Sequence, residues 1–287
     1  MKKYLATAAA LCLIPLVSLG ATDITVTGKT SAFTFNGQGI PDPAQQRWGF
    51  DASIEDQLTD ALSGKIRYDN DPENGNTLSA RANYRTSYLE ISAGPSFGIL
   101  NSSASGGVAN LFQPGIGIGF KLLAPGSIVA MADTDFALPS PATSTGQMYL
   151  QKSEISLGFY LPNVLCSAGI SQRTNTESGG TIKGITDMGF YTEAFKKGAP
   201  YRASVDFIYR VMDYYVSSTS TANTKTGHLV LGGGITVEPT NDLGLFLKGE
   251  GAIYSFSLKD QLNGLDKFLF DARLGVTYRF KTSQSKP

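Results

Sequence analysis

Residues 268–280 read FLFDARLGVTYRF, and their alternation decides the fold. Phe268, Phe270, Ala272, Leu274, Val276, Tyr278 and Phe280 fall on one side of an extended chain. Asp271, Arg273, Thr277 and Arg279 fall on the other. A β-strand repeats every two residues, so this stretch has one apolar face and one polar face.

The same period recurs throughout the sequence. Strands are predicted at 23–36, 46–56, 61–70, 76–85, 88–99, 112–122, 126–136, 147–160, 163–174, 182–194, 201–215, 226–238, 243–257 and 266–280, fourteen in all. In 46–56, Trp48, Phe50, Ala52 and Ile54 oppose Asp51, Ser53 and Glu55. In 61–70, Leu62, Ile66 and Tyr68 oppose Lys65, Arg67 and Asp69. In 201–215, Ala203, Val205, Phe207 and Tyr209 oppose Arg202, Asp206 and Arg210. The first, seventh and tenth strands alternate too poorly for their faces to be assigned.

The connections alternate as well. Gaps after even strands are tight, as at Thr86-Ser87 and Pro162. Gaps after odd strands are longer and rich in Gly, Ser, Pro and Asn, as at 37–45, 101–111, 137–146 and 217–225. Short turns on one rim and long loops on the other suit a closed antiparallel barrel that crosses a membrane, with both termini on the short-turn side. Aromatic residues sit near both span ends: Trp48, Phe50, Phe112, Tyr149, Tyr215, Phe268 and Phe270 at the loop rim, and Phe120, Phe159, Tyr201, Tyr278 and Phe280 at the turn rim. Amphipathic rings settle at headgroup depth. A soluble all-β domain would turn the apolar face inward instead. Charges of both signs on the polar face, the aromatic positions and an export signal decide for the membrane.

That signal occupies residues 1–20. Lys2 and Lys3 form its charged region, 4–17 its apolar stretch, and Ser18 and Gly20 its small-residue cleavage pattern. Residues 21–280 read as one barrel domain and 281–287 as a short periplasmic tail. Without Lys2 and Lys3, 22 basic side chains face 24 acidic ones, which gives no basic surface for nucleic acid. Cleavage also removes Cys12 and leaves Cys166 without an intramolecular partner.

The terminal segment Arg273-Leu274-Gly275-Val276-Thr277-Tyr278-Arg279-Phe280 resembles the C-terminal β-signal of bacterial outer-membrane barrel proteins. Arg273, Gly275, Tyr278 and Phe280 occupy its four defining positions. The resemblance implies recognition by the barrel-assembly machinery and residence in the outer membrane of a diderm bacterium, among its lipids. The porin-like strand pattern spans nearly the whole mature chain, while the motif covers eight residues. Seven residues follow the final aromatic, whereas typical members end on it.

Fourteen strands ~4.8 Å apart and tilted ~40° close into a cylinder roughly 25–28 Å across, wide enough for water. The candidate pore-lining residues are Asp51, Glu55, Lys65, Arg67, Arg81, Arg85, Glu90, Glu154, Arg202, Asp206, Arg210, Lys248, Glu250, Asp271 and Arg273. Such charges screen polar solutes, or they pair across strands and stiffen the wall. No separate plug is expected, and 101–111 is the candidate for a loop folding inward. His228, the single histidine, is expected at the rim, which leaves no multi-histidine metal site and no catalytic motif. No cofactor is expected. Gly115, Gly117 and Gly119, and likewise Gly232-Gly233-Gly234, lack the strand–turn–helix context of a nucleotide loop and mark close approach within strands. Residues 69–75 faintly resemble a calcium loop, with Ala80 where its closing Glu belongs. The expected function is passive diffusion of small hydrophilic solutes. The alternative is a narrow barrel that binds an extracellular partner through its loops.

Overall fold

A computed structural model describes residues 21–33, 46–71, 75–102, 109–124, 128–137, 149–176, 181–216, 224–256 and 269–281. They form fourteen strands: β1 (Ala21–Ser31), β2 (Arg47–Gln57), β3 (Leu62–Asp71), β4 (Gly75–Arg85), β5 (Leu89–Ser102), β6 (Ala109–Leu123), β7 (Ile128–Ala137), β8 (Tyr149–Leu161), β9 (Val164–Thr176), β10 (Thr181–Phe195), β11 (Tyr201–Val216), β12 (Thr224–Thr240), β13 (Leu243–Ser255) and β14 (Phe270–Lys281). Each pairs antiparallel with its sequence neighbours, and β1 pairs with β14, closing the barrel. At the seam Ile24 lies opposite Tyr278 and Val26 opposite Val276. On the other face of the seam Thr25 bonds Thr277 at 3.0 Å and Arg279 binds Asp23 at 2.8 Å. No described helix is long and apolar enough to cross a membrane.

All fourteen strands lie where the alternation places them; their ends move. β1 stops at Ser31 rather than 36, and β5 and β6 run on to Ser102 and back to Ala109. That extension leaves only 103–108 of the 101–111 loop, outside the described residues, as are the signal segment, most long loops and 282–287.

The short turns repeat one local device. Thr59, Thr86 and Thr240 each accept hydrogen bonds through the hydroxyl from the backbone N–H groups two and three residues on, at 3.0–3.3 Å. A threonine hydroxyl thus replaces a missing ladder partner at the bend. The β8–β9 turn is Pro162-Asn163, with Asn163 at φ 66°, the proline-then-left-handed order of a type II turn.

The apolar face points outward. Ile155 is 67% exposed, Leu274 63% and Val205 60%, and Ile118, Phe190, Phe207, Leu247 and Phe280 share that surface. A soluble protein buries such side chains, whereas a membrane barrel presents them to lipid. Trp48, Phe120, Phe159, Tyr201, Tyr278 and Phe280 of the expected girdles are all exposed on it. The side chains of Phe112, Tyr149, Tyr215 and Phe268 lie outside the description.

Candidate functional site: the barrel lumen

Strand register places every candidate pore residue on the lumen face. On β11, Arg202, Asp206 and Arg210 alternate with exposed Val205 and Phe207; on β14, Asp271 and Arg273 alternate with exposed Leu274 and Val276. At the turn mouth, Arg85 binds Glu90 at 2.7 Å, Lys65 binds Glu55 at 3.3 Å, and Arg202 binds Glu238 at 2.5 Å. Glu55, Arg85 and Glu90 join Asp23 and Arg279 around a cavity of about 240 Å³ there.

Deeper in lie two ionic hubs, one based on β1–β3 and the other on β10–β14. In the first, Lys29 of β1 holds Asp51 at 2.9 Å and Asp69 at 2.5 Å, and Arg67 lies 3.6 Å from Asp69. Lys152 reaches Asp69 at 2.7 Å although β8 lies five strands from β3 in the sheet order. Beside it, Arg81 of β4 spans to β7, binding Asp133 at 2.6 Å and Asp135 at 2.7 Å.

Glycine makes that span sterically open. A Cβ on Gly117 would stand 2.5 Å from Arg81 Nε, and one on Gly119 would stand 2.6 Å from Asp133 Oδ2. The alternating glycines of β6 therefore mark close approach, as expected, and what approaches is a guanidinium lying along the wall. Gly232 acts similarly on β12, where an added Cβ would sit 3.2 Å from both Asp206 and Glu250.

The second hub is centred on Arg210, 1% exposed. It binds Asp187 through Nε and a terminal nitrogen at 2.7 and 2.9 Å, Glu250 at 2.7 Å and Asp271 at 2.9 Å. Arg210 thus ties β10, β11, β13 and β14 together. Such a buried bidentate pair holds its geometry because each guanidinium nitrogen has a carboxylate partner. Phe33, just beyond β1, lies over the guanidinium at 4.4 Å. With Ile185, Ile208, Met212, Val230 and Leu269 it forms a buried apolar cluster inside the barrel.

That cluster corrects the expectation of a lumen without a plug, because the β1 end fills one side of the loop half. The alternation hid it. Ile208 pairs with Val230 and Ile185 with Met212, so apolar residues meet on a face that is otherwise ionic. His228 is also corrected. It is fully buried rather than exposed at the rim, edge-on to Phe33, with its nitrogens 2.8 Å from Ser255 Oγ and 2.9 Å from Thr226 Oγ1. A bulge turns Ser255 inward to meet it: Leu229 pairs with Tyr254 but Val230 with Ala252, so Ile253 is the extra residue. Asp69, part of the calcium-like stretch, is engaged instead by the three cations described above.

Lumen residues that sequence reasoning missed are Lys29, Asp69, Asp133, Asp135, Lys152, Arg173 and Asp187. Lys29, Asp133, Asp135 and Asp187 lie on β1, β7 and β10, the three strands whose alternation is too irregular to assign. Asp69 was on the polar face of its strand but outside the chosen set.

Between the hubs lies a cavity of about 310 Å³, lined by Asp51, Arg67, Glu154, Arg210, Lys248, Glu250 and Arg273 among others. Lys248 binds Asp206 at 2.6 Å. Basic and acidic groups both face this space.

No protein-family model and no curated protein matches the chain. Solved structures do. The crystal structure of a FadL homologue from Pseudomonas aeruginosa aligns with a TM-score of 0.50 and 10% identity, covering 90% of this chain and 90% of that one. An outer-membrane channel from Pseudomonas putida F1 aligns at TM-score 0.49 and 7% identity, covering 92% and 96%. OmpF of Salmonella typhi, solved with daunomycin, aligns at 0.42 and 11%, covering 91% and 97%. Likeness at such identities concerns fold alone. With its closed antiparallel wall and outward apolar belt, this chain has the fold of the outer-membrane β-barrels.

Proposed function

We propose that this protein is an outer-membrane channel that passes small hydrophilic solutes by passive diffusion, with no catalytic step. The observation that carries the reading is the ionic lumen face enclosing a cavity of about 310 Å³ between two hubs of paired charge. Export by the N-terminal signal and insertion through Arg273, Gly275, Tyr278 and Phe280 belong to the same proposal. Planar bilayers containing the purified barrel are expected to show discrete, stable conductance steps. Neutralising Arg81 and Arg85 is expected to shift the cation-to-anion preference toward cations. Folded protein that gives no steps would overturn it.

A second reading is favoured by specific observations: Lys152 reaches across to Asp69, Arg81 spans to Asp133, and the Phe33 cluster fills part of the loop half. A barrel narrowed this far would act through its loops on an extracellular partner. Absent conductance from well-folded protein supports that reading.

A further inference from the structure

Arg273 stands in the middle of a row of cations on the lumen face. Its direct cross-strand neighbours are Lys248 on β13 and Lys29 on β1, so three positive side chains stand in register on one wall. Like charges placed directly opposite destabilise a sheet unless something neutralises them. Lys29 has Asp51 and Asp69, and Lys248 has Asp206. Among the described residues no carboxylate lies within 4.0 Å of Arg273, which is half-buried and lines the central cavity.

The far wall mirrors this. Glu154 on β8 has Asp133 and Ser171 as its cross-strand neighbours. Arg81 takes Asp133, and no described cation lies within 4.0 Å of Glu154. β8 and β14 are six strands apart in a fourteen-stranded ring, nearly opposite each other. The Lys248 ammonium beside Arg273 acts on Glu154 electrostatically across the space without pairing with it. Arg273 in turn acts on Glu250 only through space. One cavity therefore presents, from facing walls, a cation and a carboxylate that each lack a direct ion-pair partner among the described residues. Tyr191 and Ile208 complete part of its lining and offer contact to a short carbon skeleton. Its volume of about 310 Å³ is at the small end of the ~300–1,000 Å³ typical of small-molecule sites.

We propose that this cavity is a binding site for a zwitterionic solute, whose carboxylate meets Arg273 and whose ammonium meets Glu154. An amino acid with a small side chain has that chemistry and size. The proposal rests on the channel reading and names its solute class. A bound zwitterion supplies Arg273 and Glu154 each with a direct ion-pair partner while leaving the lumen's net charge unchanged.

Calorimetric titration of the refolded full chain in detergent tests it, with L-alanine, acetate and glycerol as probes. Alanine is expected to bind and glycerol is not. Arg273→Gln should weaken alanine and acetate at least tenfold, and Glu154→Gln should weaken alanine at least tenfold while sparing acetate. Heat-modifiable gel mobility verifies the fold of each variant. Should Arg273→Gln fail to fold, Glu154→Gln with alanine against acetate still decides. Alanine binding unaffected by Glu154→Gln means a plain anion site and overturns the proposal, as does alanine binding no better than glycerol. Because titration requires no current, conductance without alanine binding rejects this inference alone, and alanine binding without conductance rejects the channel alone.

Discussion

At the scale of single residues, the lumen is organised by charges that need particular neighbours. Gly117 is one such neighbour, since a Cβ there collides with Arg81. Gly117→Ala is expected to cost about 1 kcal/mol, because the side-chain ends of Arg81 and Asp135 can shift to admit the methyl, read as a lower urea midpoint for the lipid-embedded barrel. Gly64→Ala, where an added Cβ meets nothing within 4 Å, is expected to leave the midpoint unchanged. Arg210 shows the same dependence in reverse. Arg210→Met would leave Glu250 and Asp271 without their ion-pair partner and Asp187 with Arg173 alone, at 3.5 Å, and breaking a buried pair from one side costs about 3–5 kcal/mol. Arg202→Met, at the exposed turn mouth, is expected to cost under about 1 kcal/mol.

At the scale of strands, the two faces answer to different solvents. Leu247 faces outward and Lys248 inward on β13, one residue apart. Leu247→Arg is expected to cost up to about 2–4 kcal/mol, measured by unfolding from vesicles. Lys248→Leu is expected to alter ion preference instead, measured as reversal potential. This division was legible in the sequence wherever alternation was clean, and β2, β3, β4, β11, β13 and β14 gave their faces away. It was illegible on β1, β7 and β10. There Met131 and Ile185 stand on the lumen face, so the polar phase that identifies Asp133 and Asp187 is broken. The Arg210 hub was legible only as separate charges, because no local pattern tells that β10, β11, β13 and β14 converge on one guanidinium. The Phe33 cluster was hidden for the same reason, being a meeting of residues distant in sequence.

At the scale of the whole molecule, the claim that governs the rest is orientation: apolar side chains outside, ionic ones inside. Solute passage, the zwitterion site and the cost of outward charges all depend on it. Trp48, the chain's single tryptophan, tests it without a mutation, since it lies on the apolar face of β2 and is 73% exposed. The measurement is fluorescence quenching of Trp48 in vesicles made with brominated phospholipids. Strong quenching by bromines near the headgroup end of the chains, with weak quenching by aqueous iodide, is the expected result. Trp48 fluorescence that ignores brominated lipid and is quenched by iodide would contradict the account.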